Sequence, residues 1–105
     1  MRNNRASERY AKSLFQLSIK DNLLNDVKSD IDYLRKLFSS SREISQLYTN
    51  PIIPIYHKIE ITNKIFEGKI NDLTLRMMLN VIYRKRDNLI ENILLKFNEI
   101  YNDYT

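Results

Sequence analysis

The chain contains one glycine, Gly68, and two prolines, Pro51 and Pro54, in 105 residues. That scarcity constrains the fold more than any motif does. A sandwich or barrel of short strands needs turn residues roughly every eight to twelve positions, and this sequence does not supply them. Hydrophobic residues at 43% and charged ones at 29% match ordinary globular usage, so there is enough apolar surface to bury a core. The length is that of one domain. The expected fold is all-α, a compact six-helix bundle forming a single domain over residues 1–105.

The same composition closes off most site chemistry. Without cysteine there is no disulfide framework, no thiolate metal site and no thiol nucleophile. One glycine cannot build the phosphate cradle of a P-loop or a dinucleotide-binding turn. One histidine, His57, cannot form a two-histidine zinc site, and no nucleophile accompanies it. It reads as an exposed residue at a helix start. Asp26, Asp30 and Asp32 read as a solvated helix face, with Asp32 projecting away from the other two. These absences leave no metal site and no cofactor cradle of the usual kinds, and an enzyme is the least favoured reading.

Charge is unevenly distributed. The formal net charge is +4, and residues 1–20 carry all of it: Arg2, Arg5, Arg9, Lys12 and Lys20 against Glu8. The other 85 residues hold twelve basic and twelve acidic side chains. A basic segment on a neutral domain differs from a uniformly basic nucleic-acid binder. The N-terminus has no apolar stretch of the signal-peptide kind. The longest run without Lys, Arg, Asp or Glu, from Ile44 to His57, is too short to span a bilayer.

A 3.6-residue period predicts helices over about Asn4–Ile19, Asn22–Ser39, a short one through Ile44, Leu47 and Tyr48, then about Ile55–Phe66, Asn71–Lys85 and Asn88–Asp103. Ser40 with Glu43 has the capping-box spacing that starts the third. The fourth is ambiguous on propensity, because Lys58-Ile59-Glu60-Ile61-Thr62 alternates like a strand. Ile55, Ile59, Thr62 and Phe66 follow helical spacing, and Pro54 and Gly68 suit a helix start and stop. Helix is the reading taken.

Four helices show one apolar stripe each. The first and fifth carry more. In the first, Ala6, Tyr10, Leu14 and Leu17 are joined by Ala11, Phe15 and Ser18; in the fifth, Leu73, Met77 and Val81 begin a second face beside Leu75, Met78, Leu79 and Ile82. Side by side, these two helices would leave an apolar groove suited to an amphipathic helix.

Five segments then resemble one family in order. Arg9-Tyr10-Ala11-Lys12-Ser13-Leu14-Phe15 is similar to the RYAKALF opening of the delta subunit of the F-type ATP synthase, the oligomycin sensitivity-conferring protein of mitochondria. Leu47 to Pro51 resembles its LLSNP loop and Ile65 to Lys69 its LFGGK turn. Leu73 to Met78 resembles LTLNFL, and Tyr83 to Arg86 resembles ERGR, with Lys85 in place of the usual glycine. The match runs from about Arg5 to Asp103.

The resemblance implies a non-catalytic N-terminal domain of a stator component, lacking the family's C-terminal stalk-binding domain. It implies that the groove receives the N-terminal helix of an alpha subunit on top of the catalytic head. Peripheral-stalk subunit b would be reached through the absent domain. The groove residues carry over as Tyr10, Ser13, Leu14, Leu17, Met77, Asn80, Val81 and Arg84. The implied location is the cytoplasmic face of the bacterial inner membrane, contacted only through the complex. The alternative is a small helical nucleic-acid-binding module using the stripe Arg2, Arg5, Arg9 and Lys12 with Arg84 to Arg86. Against it, those last cations end a helix, where they favour its dipole.

Overall fold

The computed structural model describes residues 4–105. They form α1 (Asn4–Lys20), α2 (Leu24–Ser40), α3 (Arg42–Thr49), α4 (Ile55–Phe66), α5 (Asp72–Tyr83) and α6 (Ile90–Tyr104), with a 3-10 turn at Asp87–Leu89. The described residues include no strand. Arg2, first of the basic stripe, lies outside them; Arg5 is already helical, in the first turn of α1.

Local chemistry sets most boundaries. α1 stops because Asn22 adopts a left-handed backbone, φ 59°. Leu23 N–H then donates to the Ser18 carbonyl and Asn22 N–H to that of Ile19, which satisfies the carbonyls a helix end leaves open. α5 stops in the same way. Lys85 takes φ 61°, with Arg86 N–H on Val81 and Lys85 N–H on Ile82. The fifth helix therefore ends at Tyr83, two residues before the sequence-based limit. The third is capped by Ser41, not Ser40: Ser41 is extended and its Oγ accepts from Ile44 N–H at 3.3 Å, while Ser40 still belongs to α2. Gly68, at φ 81°, follows the α4 C-cap as its position predicts.

The fourth segment is helical despite its isoleucines. With no strand to pair with, packing of one face decides against β propensity. The buried face holds Thr62, Phe66 and, unexpectedly, Lys58.

α1 lies along α6, with α5 on its other flank and α2 crossing nearby. Its inner stripe is Ser7, Ala11, Leu14, Phe15 and Ser18. Small residues there permit close approach, and Ser7 Oγ accepts from Asn92 Nδ2 of α6 at 3.1 Å. Phe15 meets Phe97 and Tyr104 edge-on, at 5.7 and 5.2 Å between centroids. α2 buries Val27, Ile31, Leu34 and Phe38 as expected. α5 is more central than its periodicity predicts, packing on α1, α2 and α4, so Met77 and Val81 of its second face join the core.

Asp30 corrects the solvated reading of the three aspartates. Its Oδ2 accepts from Asn71 N–H and Thr74 Oγ1, both at 2.8 Å, tying α2 to the start of α5. Burial raises its carboxyl above the usual carboxylate range, the two hydrogen bonds offset part of this, and Asp26 adds to it. A carboxylate at a helix N-terminus complements its open N–H groups and its dipole.

Candidate functional site

The outer edge of the α1–α5 contact is a groove of about 300 Å³. Tyr10, Ser13, Leu14 and Leu17 line it from α1; Leu73, Arg76, Met77 and Asn80 line it from α5. Two hollows elsewhere, between α2 and α6 and beside the Pro51–Pro54 loop, are each about 510 Å³, so volume does not single the groove out. Its lining does: it holds no acidic side chain, whereas the other two hollows include Glu91 and Asp87. Leu17 is 42% exposed next to half-buried Leu73 and Tyr10, and Leu95 is equally exposed at the α2–α6 hollow. Exposed apolar surface beside a recess is the usual mark of a partner site.

Six of the eight residues carried over from the resemblance line this groove. The other two do not. Val81 is fully buried beneath it; one position beyond Asn80 it is turned about 100° round the helix, into the core. Arg84 lies just past the groove, in an adjoining recess with Arg9, Arg86, Tyr10, Ser13 and Asn80. Residues 9–13 of α1 thus face 80–86, and residues 10–17 face 73–80, so the two helices run antiparallel.

The lining separates into floor and rim. Leu14, at 2% exposed, and Met77, at 8%, are core residues whose outer atoms form the floor. Tyr10, Leu17 and Leu73 form the rim, and exposed Ser13 leaves a gap where a helix backbone can come close. Tyr10 is held in place, since Arg86 Nη1 donates to its hydroxyl at 3.3 Å with the guanidinium 6.0 Å from the ring centroid. Leu73 and Arg76 were missing from the sequence-based set. The signal was present: Leu73, Arg76, Met77, Asn80 and Arg84 are spaced i, i+3, i+4, i+7, i+11, one stripe of α5.

Elsewhere the chain satisfies its own polar groups. Where α3, α4 and the 3-10 turn meet, Lys58 Nζ is paired with Asp87, both buried. Tyr48 Oη lies 2.7 Å from Thr62 Oγ1 in the interior. Burial pushes the Tyr48 hydroxyl up to about 12, with Thr62 opposing and the Asp87 charge reinforcing the shift. His57 is exposed, 3.9 Å from Glu60, with no nucleophile beside it. Among the described residues no three His, Asp or Glu side chains are grouped to hold a metal. The arrangement offers a surface for binding.

Known proteins resemble this chain along most of its length. The family model for the ATP synthase delta (OSCP) subunit matches residues 6–105. ATP synthase subunit delta of Halalkalibacterium halodurans is 30% identical over 103 residues, 98% of this chain and 56% of the relative. The same subunit of Amoebophilus asiaticus is 31% identical over 102 residues, 97% of this chain and 55% of the relative. The chloroplastic subunit delta of Trieres chinensis is 30% identical over 94 residues, 89% and 50% respectively. The chain spans about half the length of these curated relatives. One family model takes in all six helices and both walls of the groove, and the chain belongs to the ATP synthase delta (OSCP) subunit family.

Proposed function

We propose that this chain is the alpha-subunit-binding part of an ATP synthase stator. The groove between α1 and α5 accepts the amphipathic helix at the N-terminus of an alpha subunit, on top of the catalytic head. The observation that carries the reading is the groove's make-up: Leu17, Leu73 and Tyr10 on the rim, Leu14 and Met77 on the floor, and a small residue, Ser13, between them. A helix laid there would bury its i, i+3, i+4 and i+7 side chains.

The mechanism is mechanical. Capture of a helix lets the head resist rotor torque with no chemistry at this site, and so supports proton-driven ATP synthesis. Attachment to peripheral-stalk subunit b would lie in the half of the relatives that this chain does not span. Among the described residues no helix is long and apolar enough to cross a membrane, which fits a peripheral position at the cytoplasmic face of a bacterial inner membrane.

Calorimetric titration tests the reading. The ligand is a peptide of about 30 residues from the N-terminus of the same source's alpha subunit, long enough for several turns. Apolar burial is the main driving force, so affinity should fall less than about tenfold between roughly 50 and 200 mM salt; a DNA duplex held by six or more cations would lose about 10³-fold. Ser13→Phe should abolish peptide binding while leaving the fold intact. No binding of the peptide, with salt-sensitive binding of the duplex, would overturn the stator reading in favour of the nucleic-acid one.

A further inference from the structure

Eight residues line the groove and three more, Arg9, Arg84 and Arg86, join at its end, eleven in all; none is acidic and four are arginines. Elsewhere among the described residues three cations are paired, while others such as Arg35, Lys36 and Lys64 are, like those at the groove, in no ion pair; the groove differs in having no acidic side chain in its lining. Ion pairs join Lys28 to Asp32, Lys58 to Asp87 and Lys96 to Glu99. Among the described residues Arg9, Arg76 and Arg84 are in no ion pair, and Arg86 turns inward on to Tyr10. Helix electrostatics accounts for only part of this. Arg84, at the α5 C-cap, complements that helix's dipole, but Arg9 lies within α1 and Arg76 in the N-terminal half of α5, where no such gain exists. One apolar groove is therefore bordered by positive charge that the fold itself does not neutralise.

The charge is also placed asymmetrically. Leu17 and Leu73 lie at one end; Arg9 and Arg84 lie at the other. Eight residues of α1 separate Leu17 from Arg9, about 12 Å or a little over two helical turns. A helix bound along the groove would thus meet Leu17 and Leu73 with the single charge of Arg76 at one end, and Arg9, Arg84 and Arg86 about two turns further on.

We propose that the occupant is an acidic amphipathic helix, whose apolar anchor sits on Leu17, Leu73 and Met77 and whose carboxylates, about two turns away, pair with Arg9 and Arg84. The proposal rests on the reading of the groove as the alpha-subunit site and names the chemistry that sets the bound helix's register. Charge at a rim contributes orientation and association rate more than raw affinity, so the apolar floor remains the main source of binding.

The test uses the alpha-subunit N-terminal peptide and two double variants, Arg9→Glu with Arg84→Glu, and Arg9→Gln with Arg84→Gln. Arg76 and Arg86 are left in place, so only exposed side chains without ion pairs are altered, and circular dichroism checks that the helices persist. Wild type should lose several-fold affinity between about 50 and 200 mM salt. The glutamate variant should bind about tenfold or more weakly at the lower salt, with the salt dependence reversed. The glutamine variant should fall between them with a flat response. A peptide whose carboxylates two turns from the apolar anchor are changed to lysine should recover binding to the glutamate variant. Unchanged affinity and salt response in both variants would overturn this proposal while leaving the groove reading intact. No binding of the peptide to wild type would overturn the groove reading itself, and this proposal with it.

Discussion

The α1–α5 groove and the corner where α3, α4 and the 3-10 turn meet solve opposite problems. In the corner, every polar group taken out of water has a partner within the chain: Lys58 has Asp87, and Tyr48 has Thr62. At the groove, arginines stand without ion pairs and Leu17 remains 42% exposed. A buried polar group left unpartnered costs far more than an exposed one. The corner can therefore be internally complete only by being specific, whereas the groove can stay incomplete because water covers it until something better does. The contrast separates residues that hold the fold from residues free to serve a partner.

The largest effect expected from this contrast is at the corner. Asp87→Ala leaves Lys58, at 4% exposed, as an uncompensated buried charge. Removing one member of such a pair costs about 3–5 kcal/mol, while replacing both with apolar residues is often neutral or better. Urea denaturation should show that loss for Asp87→Ala and recovery of most of it in Lys58→Met with Asp87→Leu. A loss below about 1 kcal/mol, the range of exposed pairs, would put the corner on the same footing as the surface and end the comparison.

Alkali provides the next test. Tyr48 ionises at about 12 in the folded chain against 10.0 for a free tyrosine. Above pH 10 the unfolded state gives up this proton while the folded state keeps it. Its contribution is full below pH 10 and is lost as pH rises through 12, by on the order of 2–3 kcal/mol. Tyr48→Phe should flatten that decline, and it should lower stability at neutral pH by about 1–3 kcal/mol because Thr62 Oγ1 loses its partner. Identical alkaline profiles for the two proteins would remove the buried tyrosine from the account. Asp30 acts in the same sense at the acid end: its raised ionisation means that protonation relieves a cost as pH falls into the carboxylate range.

At the groove the same kind of truncation should move binding instead. Tyr10→Ala should cost about 1–3 kcal/mol of affinity for the alpha-subunit peptide, with little change in the denaturation midpoint. Leu14→Ala is the informative control. Its side chain is 2% exposed, so it should lower stability by about 2–5 kcal/mol as well as binding. Equal stability losses in the two variants would mean that Tyr10 belongs to the core.

The helices and most core stripes were legible in the sequence because each depends on local spacing: Val27, Ile31, Leu34 and Phe38 can be read off a wheel. The groove was legible in part, since surplus apolar surface on two helices is also local. How deep each residue lies was not. Val81 and Met77 are core because α5 touches three other helices, a fact carried by no single segment. The long-range polar pairs were invisible for the same reason. Lys58 and Asp87 are 29 positions apart, and Asp30 and Thr74 are 44 apart; each residue alone has the composition of a solvated face.

Lys85 sits between the two regions and offers the smallest and finest test. Its neighbours diverge: Arg84 and Arg86 turn to the groove recess, while Asp87 enters the corner. The divergence requires a reversal of the chain at φ 61°, which a side chain with a Cβ adopts at a cost of roughly 1–2 kcal/mol. Glycine has no such penalty but leaves a more flexible unfolded chain. Lys85→Gly should therefore raise stability by about 1 kcal/mol or less, the relief of strain outweighing the added entropy. Because the Arg86 and Lys85 N–H bonds to Val81 and Ile82 need the turn and not the side chain, the recess should keep its shape and peptide affinity should stay within about twofold. A gain in stability accompanied by a loss of binding would mean that the lysine itself contacts the partner, and the boundary between fold and groove would then have to be drawn one residue further along the chain.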